Sequence, residues 1–168
     1  MAELRAEEFW RHKELLHAIA KIGNVAYPEQ FIAPMRADLT QYGVEEARTP
    51  AEVDRIIGEG GTLMIVVNSV CGCAAGKARP AVGMALRHPL RPSQAATVFA
   101  GGDEEAVAHL RRILSPYPPS SPSIALFRDG KPVHMIHRKD IEPRAAVEVA
   151  QLLTTAFEEH FQTAARPA

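Results

Sequence analysis

Two cysteines are all the thiol that 168 residues contain, and they stand one residue apart at positions 71 and 73. So few rule out a disulfide framework, and a reducing compartment would not preserve one, so the pair reads as catalytic or metal-binding rather than structural. Long hydrophobic runs are also missing. Nothing approaches the roughly 20 apolar residues that a membrane helix needs, and the opening segment MAELRAEEFWRHKELL is charged throughout, without a signal peptide's apolar stretch. The expectation is a cytoplasmic chain that makes no membrane contact. Neither sign of charge is in excess, since 19 basic residues face 20 acidic ones for a net charge of -1. No global field therefore draws in nucleic acid. What remains is 46% hydrophobic and 23% charged, the ordinary composition of a packed domain. The length suits one domain that buries about two-thirds of its unfolded surface and needs no metal or disulfide staple.

Apolar periodicity divides the chain into an N-terminal helical extension over 1–26, a domain over 27–162 and a flexible tail over 163–168. In the first, Phe9, Leu15, Leu16, Ile19 and Ile22 recur at helical spacing and Gly23-Asn24 ends the run. Helices are predicted from Pro28 to about Gln41, and to Ile57 from a start with Thr49 as cap and Pro50 in the first position. The apolar run 63–67, bounded by glycines and by Asn68-Ser69, is a buried central strand. The following CGCAAGKARPAVGMALRH is helical in character, with Pro80 expected to kink it. A second strand at 95–100 leads into a helix with Asp103 as cap, Glu104 and Glu105 in its first turn and Arg111 and Arg112 in its last. Residues 115–122 form a proline-rich loop, 124–127 and 133–137 a hairpin around Asp129-Gly130, and a final helix starts at Pro143. A βαβ unit followed by an antiparallel hairpin gives a mixed sheet with helices on both faces. The expected class is α/β, and the order of elements is that of a thioredoxin-like fold.

Cys71 falls where the central strand hands over to a helix. Unpaired amide hydrogens and the positive end of the helix dipole favour thiolate there, and a drop of about two units from the free thiol pKa of about 8.5 makes thiolate the major form at neutral pH. No Asp or Glu occurs from Gly60 through Gly102, whereas Lys77, Arg79, Arg87 and Arg91 do. Cys71 is accordingly assigned the attacking role and Cys73 the resolving one. A disulfide that spans only Gly72 closes a small, strained ring, which predicts a pair more oxidising than thioredoxin's. The loop Ser120-Ser121-Pro122-Ser123 directly precedes a strand. A cis peptide at Pro122 would offer the backbone of Ser121 as a short edge for an extended substrate; an ordinary trans loop proline is the alternative.

NSVCGCAAGKARPA at 68–81, TVFAGGDEEA at 97–106, SPYPPSSPSIALFRDGK at 115–131 and MRADL at 35–39 together resemble the bacilliredoxins, thioredoxin-fold proteins with a CGC active site. The resemblance covers roughly 30–160. It implies a thiol–disulfide oxidoreductase that reduces mixed disulfides between bacillithiol and cytoplasmic proteins, with disulfide isomerase activity also associated with the family. Bacillithiol would be a thiol co-substrate, with no bound cofactor and no metal, and the partners would be bacillithiolated client proteins. Cys71 then corresponds to the cysteine that takes the bacillithiol adduct and Cys73 to its CGC partner across Gly72. The resemblance favours the cis form at Pro122. Carboxylates on bacillithiol would gain from Lys77 or Arg79 nearby. Members of the family often carry a further cysteine near the C-terminus; here the matching AFEEH at 156–160 runs on without one, which leaves resolution to Cys73 or to a second small thiol.

Two other readings compete. Free cysteines often pack as small apolar residues, and a pair of thiolates can carry copper(I) or zinc. His134 and His137 have a metal-like spacing, but an odd separation on a strand sends them to opposite faces. The nearest alternative of the same chemistry is a general disulfide isomerase; that of a different class is a non-catalytic metal carrier. The oligomeric state is left unassigned.

Overall fold

The computed structural model describes residues 26–162. The helix expected over 1–26, but for its last residue, and the tail from 163 lie outside the described residues. Helix α1 (Glu29–Thr40) begins directly after Pro28. It leads to a two-residue strand β1 (Glu45–Glu46) that the sequence does not announce. Two glutamates carry no strand signal; their conformation comes from parallel pairing with a distant strand, Glu45 opposite Ala96 and Glu46 opposite Thr97. Helix α2 (Pro50–Gly58) starts as expected: Thr49 accepts the Glu52 amide and the Glu52 carboxylate returns to the Thr49 amide, with Pro50 in the first turn.

Strand β2 (Thr62–Asn68) is buried along nearly its whole length. Beyond it the backbone is helical from Gly72 to Ala85, with a π-helical turn at Ala74–Ala78 that runs straight into α3 (Arg79–Ala85). The expected kink at Pro80 is therefore a widened turn just before it. Proline has no N–H to bond back to residue 76, and the wider ladder makes room for its ring. Gly83 in α3 is explained by its neighbour, since a Cβ there would come within 2.4 Å of the Tyr42 ring.

Strand β3 (Gln94–Phe99) precedes α4 (Glu104–Ile113), whose end charges are placed as expected. Asp103 stands at the N-cap of α4 but makes no side-chain cap. Its carboxylate instead receives both terminal nitrogens of buried Arg36 at 2.8 and 2.7 Å, together with the Phe99 amide at 2.8 Å. This ties α1 to the β3–α4 turn, a long-range demand that overrides the local one. Strands β4 (Ser123–Arg128) and β5 (Lys131–Ile136) form the hairpin, with positive φ at both Asp129 and Gly130. Its register shifts between Leu126 and Phe127, where Pro132 has no N–H to give the ladder. A short α5 (Arg138–Ile141) then comes before α6 (Ala146–Phe161), which starts three residues later than Pro143 would place it.

The sheet runs β1-β3-β2-β4-β5. β2 and β3 are parallel; β2–β4 and β4–β5 are antiparallel. Alternation along β2 builds two cores. Leu63, Ile65 and Val67 meet Val53, Ile56, Val107 and Leu110 from α2 and α4. Met64 and Val66 meet Val82, Leu153 and Phe157 from α3 and α6 on the other face. Among the described residues no helix is long and apolar enough to cross a membrane.

Candidate active site

The end of β2 delivers the thiols. Asn68 is buried and its side chain fixes the chain exit: Nδ2 donates to the Met35 carbonyl at 3.1 Å and Oδ1 accepts the Ser69 amide at 2.9 Å. Cys71 follows, half-buried, at the N-terminal edge of the helical stretch, and its carbonyl accepts the amides of Ala74 and Ala75 at 3.1 Å. Cys73 lies two residues further in and is only 8% exposed. Both are free cysteines, with their sulfurs 2.6 Å apart. A Cβ built on the exposed Gly72 would meet nothing within 4 Å.

The environment separates the two thiols. Burial by itself would raise Cys71, but hydrogen bonds from Cys73, from the Ser69 hydroxyl at 3.3 Å and from the Ala74 amide, with the positive charge of Arg138, bring it below the ordinary thiol value. Cys73 is pushed up to about 11 by its burial, by its hydrogen bond to Cys71 and by the charge of Cys71, with Glu142 adding to the effect. In the reduced protein Cys71 is thus the acidic partner and Cys73 the proton holder that donates to it.

The expected basic neighbours are placed differently from the reading of the sequence. Arg79 is 4% exposed and points inward. Its Nε donates to Asp38 at 2.9 Å, and one terminal nitrogen donates to Asn68 Oδ1 at 3.2 Å and to the Ser69 carbonyl at 3.0 Å. So enclosed, Arg79 holds the β2–helix turn, and its charge also interacts with Cys71. Lys77 donates its ammonium to the Glu142 carbonyl. The cation that acts on both sulfurs is Arg138, at the start of α5. It donates to Glu142 at 3.2 Å and to the Ser121 carbonyl at 3.5 Å. The Ser121–Pro122 peptide is cis, as is Ser115–Pro116, which sequence reading did not single out. Arg138 thereby joins the proline loop to the thiol pair. Its only signal in the sequence is that it follows the hairpin that lies antiparallel to β2.

His134 lies on β5, its ring centroid 5.1 Å from that of His160, whereas His137 falls just past the strand at the N-cap of α5, its ring centroid 6.2 Å from that of Tyr117. Among the described residues no group of three or more His, Cys, Asp or Glu is placed to hold a metal ion.

Residues 27–161 match the family described as Disulphide isomerase. A bacilliredoxin of Koribacter versatilis is 53% identical over 135 residues, which cover 80% of this chain and 93% of that protein. Bacilliredoxins of Cytophaga hutchinsonii and Halalkalibacterium halodurans are 50% and 46% identical, covering 79% and 80% of this chain and 98% and 94% of their own lengths. Among solved structures, the oxidised thioredoxin of Plasmodium falciparum superposes with a TM-score of 0.52 at 15% identity, over 71% of this chain and 99% of that one. The thioredoxin of Malassezia sympodialis gives 0.51 at 11%, over 71% and 91%. These two establish the thioredoxin fold, which the element order predicts.

Proposed function

The chain belongs to the bacilliredoxin family of thioredoxin-fold thiol–disulfide oxidoreductases, and on that premise we propose that its substrates are cytoplasmic proteins that carry bacillithiol on a cysteine. The observation that carries the reading is the division of labour between two sulfurs 2.6 Å apart, one held below and one above the ordinary thiol value. Thiolate is the nucleophile in disulfide exchange. Cys71 attacks the mixed disulfide, the client leaves as a thiol, and Cys71 carries the bacillithiol. Cys73 then attacks Cys71, expels bacillithiol and leaves the Cys71–Cys73 disulfide. A second small thiol is the alternative to Cys73 as the resolving group.

A second reading, general disulfide isomerase, is favoured by the description of the matching family. One experiment separates the two. Cys73→Ser protein is mixed with a bacillithiolated client and its intact mass measured. Accumulation of one bacillithiol on Cys71, with equimolar client thiol released, is the expected result. A stable disulfide between Cys71 and the client itself supports the isomerase and overturns the first reading.

A further inference from the structure

Between the proline-rich loop and the start of α5 lies a hollow of about 310 Å³, lined by Pro118, Pro119, His137, Arg138, Lys139 and Glu142. Two of its residues already act at the site: the charge of Arg138 reaches both sulfurs and that of Glu142 reaches Cys73. Ser120, from the loop that holds the cis peptide, completes the lining and accepts the Arg138 amide at 3.3 Å. Lys139 is exposed and has no hydrogen bond or ion pair among the described residues. Its ammonium is free for a ligand. The volume falls at the lower end of the range of about 300–1,000 Å³ typical of small-molecule sites, too small for a folded client. Its chemistry is that of a site for a compact anion: two cations, an apolar proline wall and one carboxylate already paired with Arg138 at 3.2 Å.

We propose that this hollow holds the small-thiol half of the mixed disulfide by its carboxylates, on Lys139 and Arg138, and so decides which sulfur Cys71 attacks. The proposal deepens the bacilliredoxin reading above and rests on it for the identity of that thiol. With the small thiol seated, its sulfur lies next to Cys71. Attack there forms the Cys71–small-thiol bond and breaks the mixed disulfide, and the client departs as a thiolate that takes a proton from solvent. Cys73 gives up its proton to solvent and attacks the Cys71 sulfur, so the small thiol leaves with the electron pair. Two thiols are released and the CGC pair is oxidised. Without the hollow either sulfur is open to attack, and a larger share of encounters would place the client on Cys71.

The test uses the full chain and Lys139→Glu, because Lys139 does not touch the sulfurs. Two small disulfides are compared, the dicarboxylate 3,3′-dithiodipropionate and the neutral bis(2-hydroxyethyl) disulfide. The ratio of kcat/KM for the anionic over the neutral compound should fall about three- to tenfold in Lys139→Glu, the size expected for loss and reversal of one solvent-exposed ion pair. In a Cys73→Ser background, the same change should move trapped adducts from bacillithiol toward the client. An unchanged ratio, or unchanged adducts, overturns the role of the hollow. Should the wild-type protein favour the anionic disulfide through Lys139 yet ignore bacillithiolated clients, the hollow stands and the bacillithiol reading falls. Should it act on those clients with a ratio indifferent to Lys139, the hollow alone falls.

Discussion

Removal of the Ser69 hydroxyl isolates one stabiliser of the Cys71 thiolate. The hydroxyl lies 3.3 Å from Cys71 Sγ. The Ser69 backbone is held independently, its amide by Asn68 Oδ1 at 2.9 Å and its carbonyl by Arg79 at 3.0 Å, so Ser69→Ala should leave the turn in place. A hydrogen bond to a charged group contributes about 1.5–3 kcal/mol. Here the sulfur is half-exposed and water can replace part of what is lost, so we take about 1 kcal/mol, or about a fivefold lower ratio of thiolate to thiol at a given pH. Iodoacetamide alkylation of Cys71, followed by mass across a pH series, reads that ratio directly. The curve for Ser69→Ala should move to higher pH, with rates about fivefold lower on its acid side and the same alkaline plateau. Superimposable curves would show that Cys73, the Ala74 amide and Arg138 hold the thiolate alone, and the role given to Ser69 would be wrong.

Arg79→Met should destabilise the protein by about 1–3 kcal/mol, because it strips the buried Ser69 carbonyl of its donor, while the half-exposed partner Asp38 adds little. Thermal melting should register this as a drop of about 2–4 °C per kcal/mol for a chain of this size, and an unchanged midpoint would refute the anchoring role. Stability of the reduced protein should depend on pH through both thiols. Cys71, held below the ordinary value of about 9, adds stability as pH rises through its folded titration toward 9. Cys73, held at about 11, contributes stability below 9 and loses it as pH climbs from 9 to about 11. The difference between the reduced wild type and Cys71→Ala/Cys73→Ala in denaturant melts should therefore peak near pH 9, and a flat difference would contradict the assigned environments.

The legible part of the fold is the part written in local chemistry. The capping box at Thr49, the apolar run of β2 and the Asp129-Gly130 turn each declare an element through the residues that form it. What stays hidden depends on partners far along the chain. β1 is two glutamates made into a strand by β3, and Asp103 gives up its cap for Arg36, a residue 67 positions away. Helix α5 has four residues, too few for periodicity to show.

The same division runs through the site. Sequence spacing places Cys71 at a helix start, but a tally of charge along 60–102 does not reach Arg138. Arg79 is buried among Asp38, Asn68 and Ser69 yet its charge still interacts with Cys71, Lys77 donates to the Glu142 carbonyl, and Arg138 arrives from beyond the hairpin to act on both sulfurs. No count along the chain shows how the second thiol is held in reserve. Three of the causes that keep Cys73 protonated are its burial, its hydrogen bond to Cys71 and the negative charge of Cys71. When Cys71 enters a mixed disulfide its charge is gone, and the second and third causes go with it. Burial and Glu142 remain, opposed by the positive charge of Arg138. Cys73 therefore becomes easier to ionise once there is an adduct to resolve, and in the resting protein its proton stays on sulfur to stabilise the thiolate that strikes first.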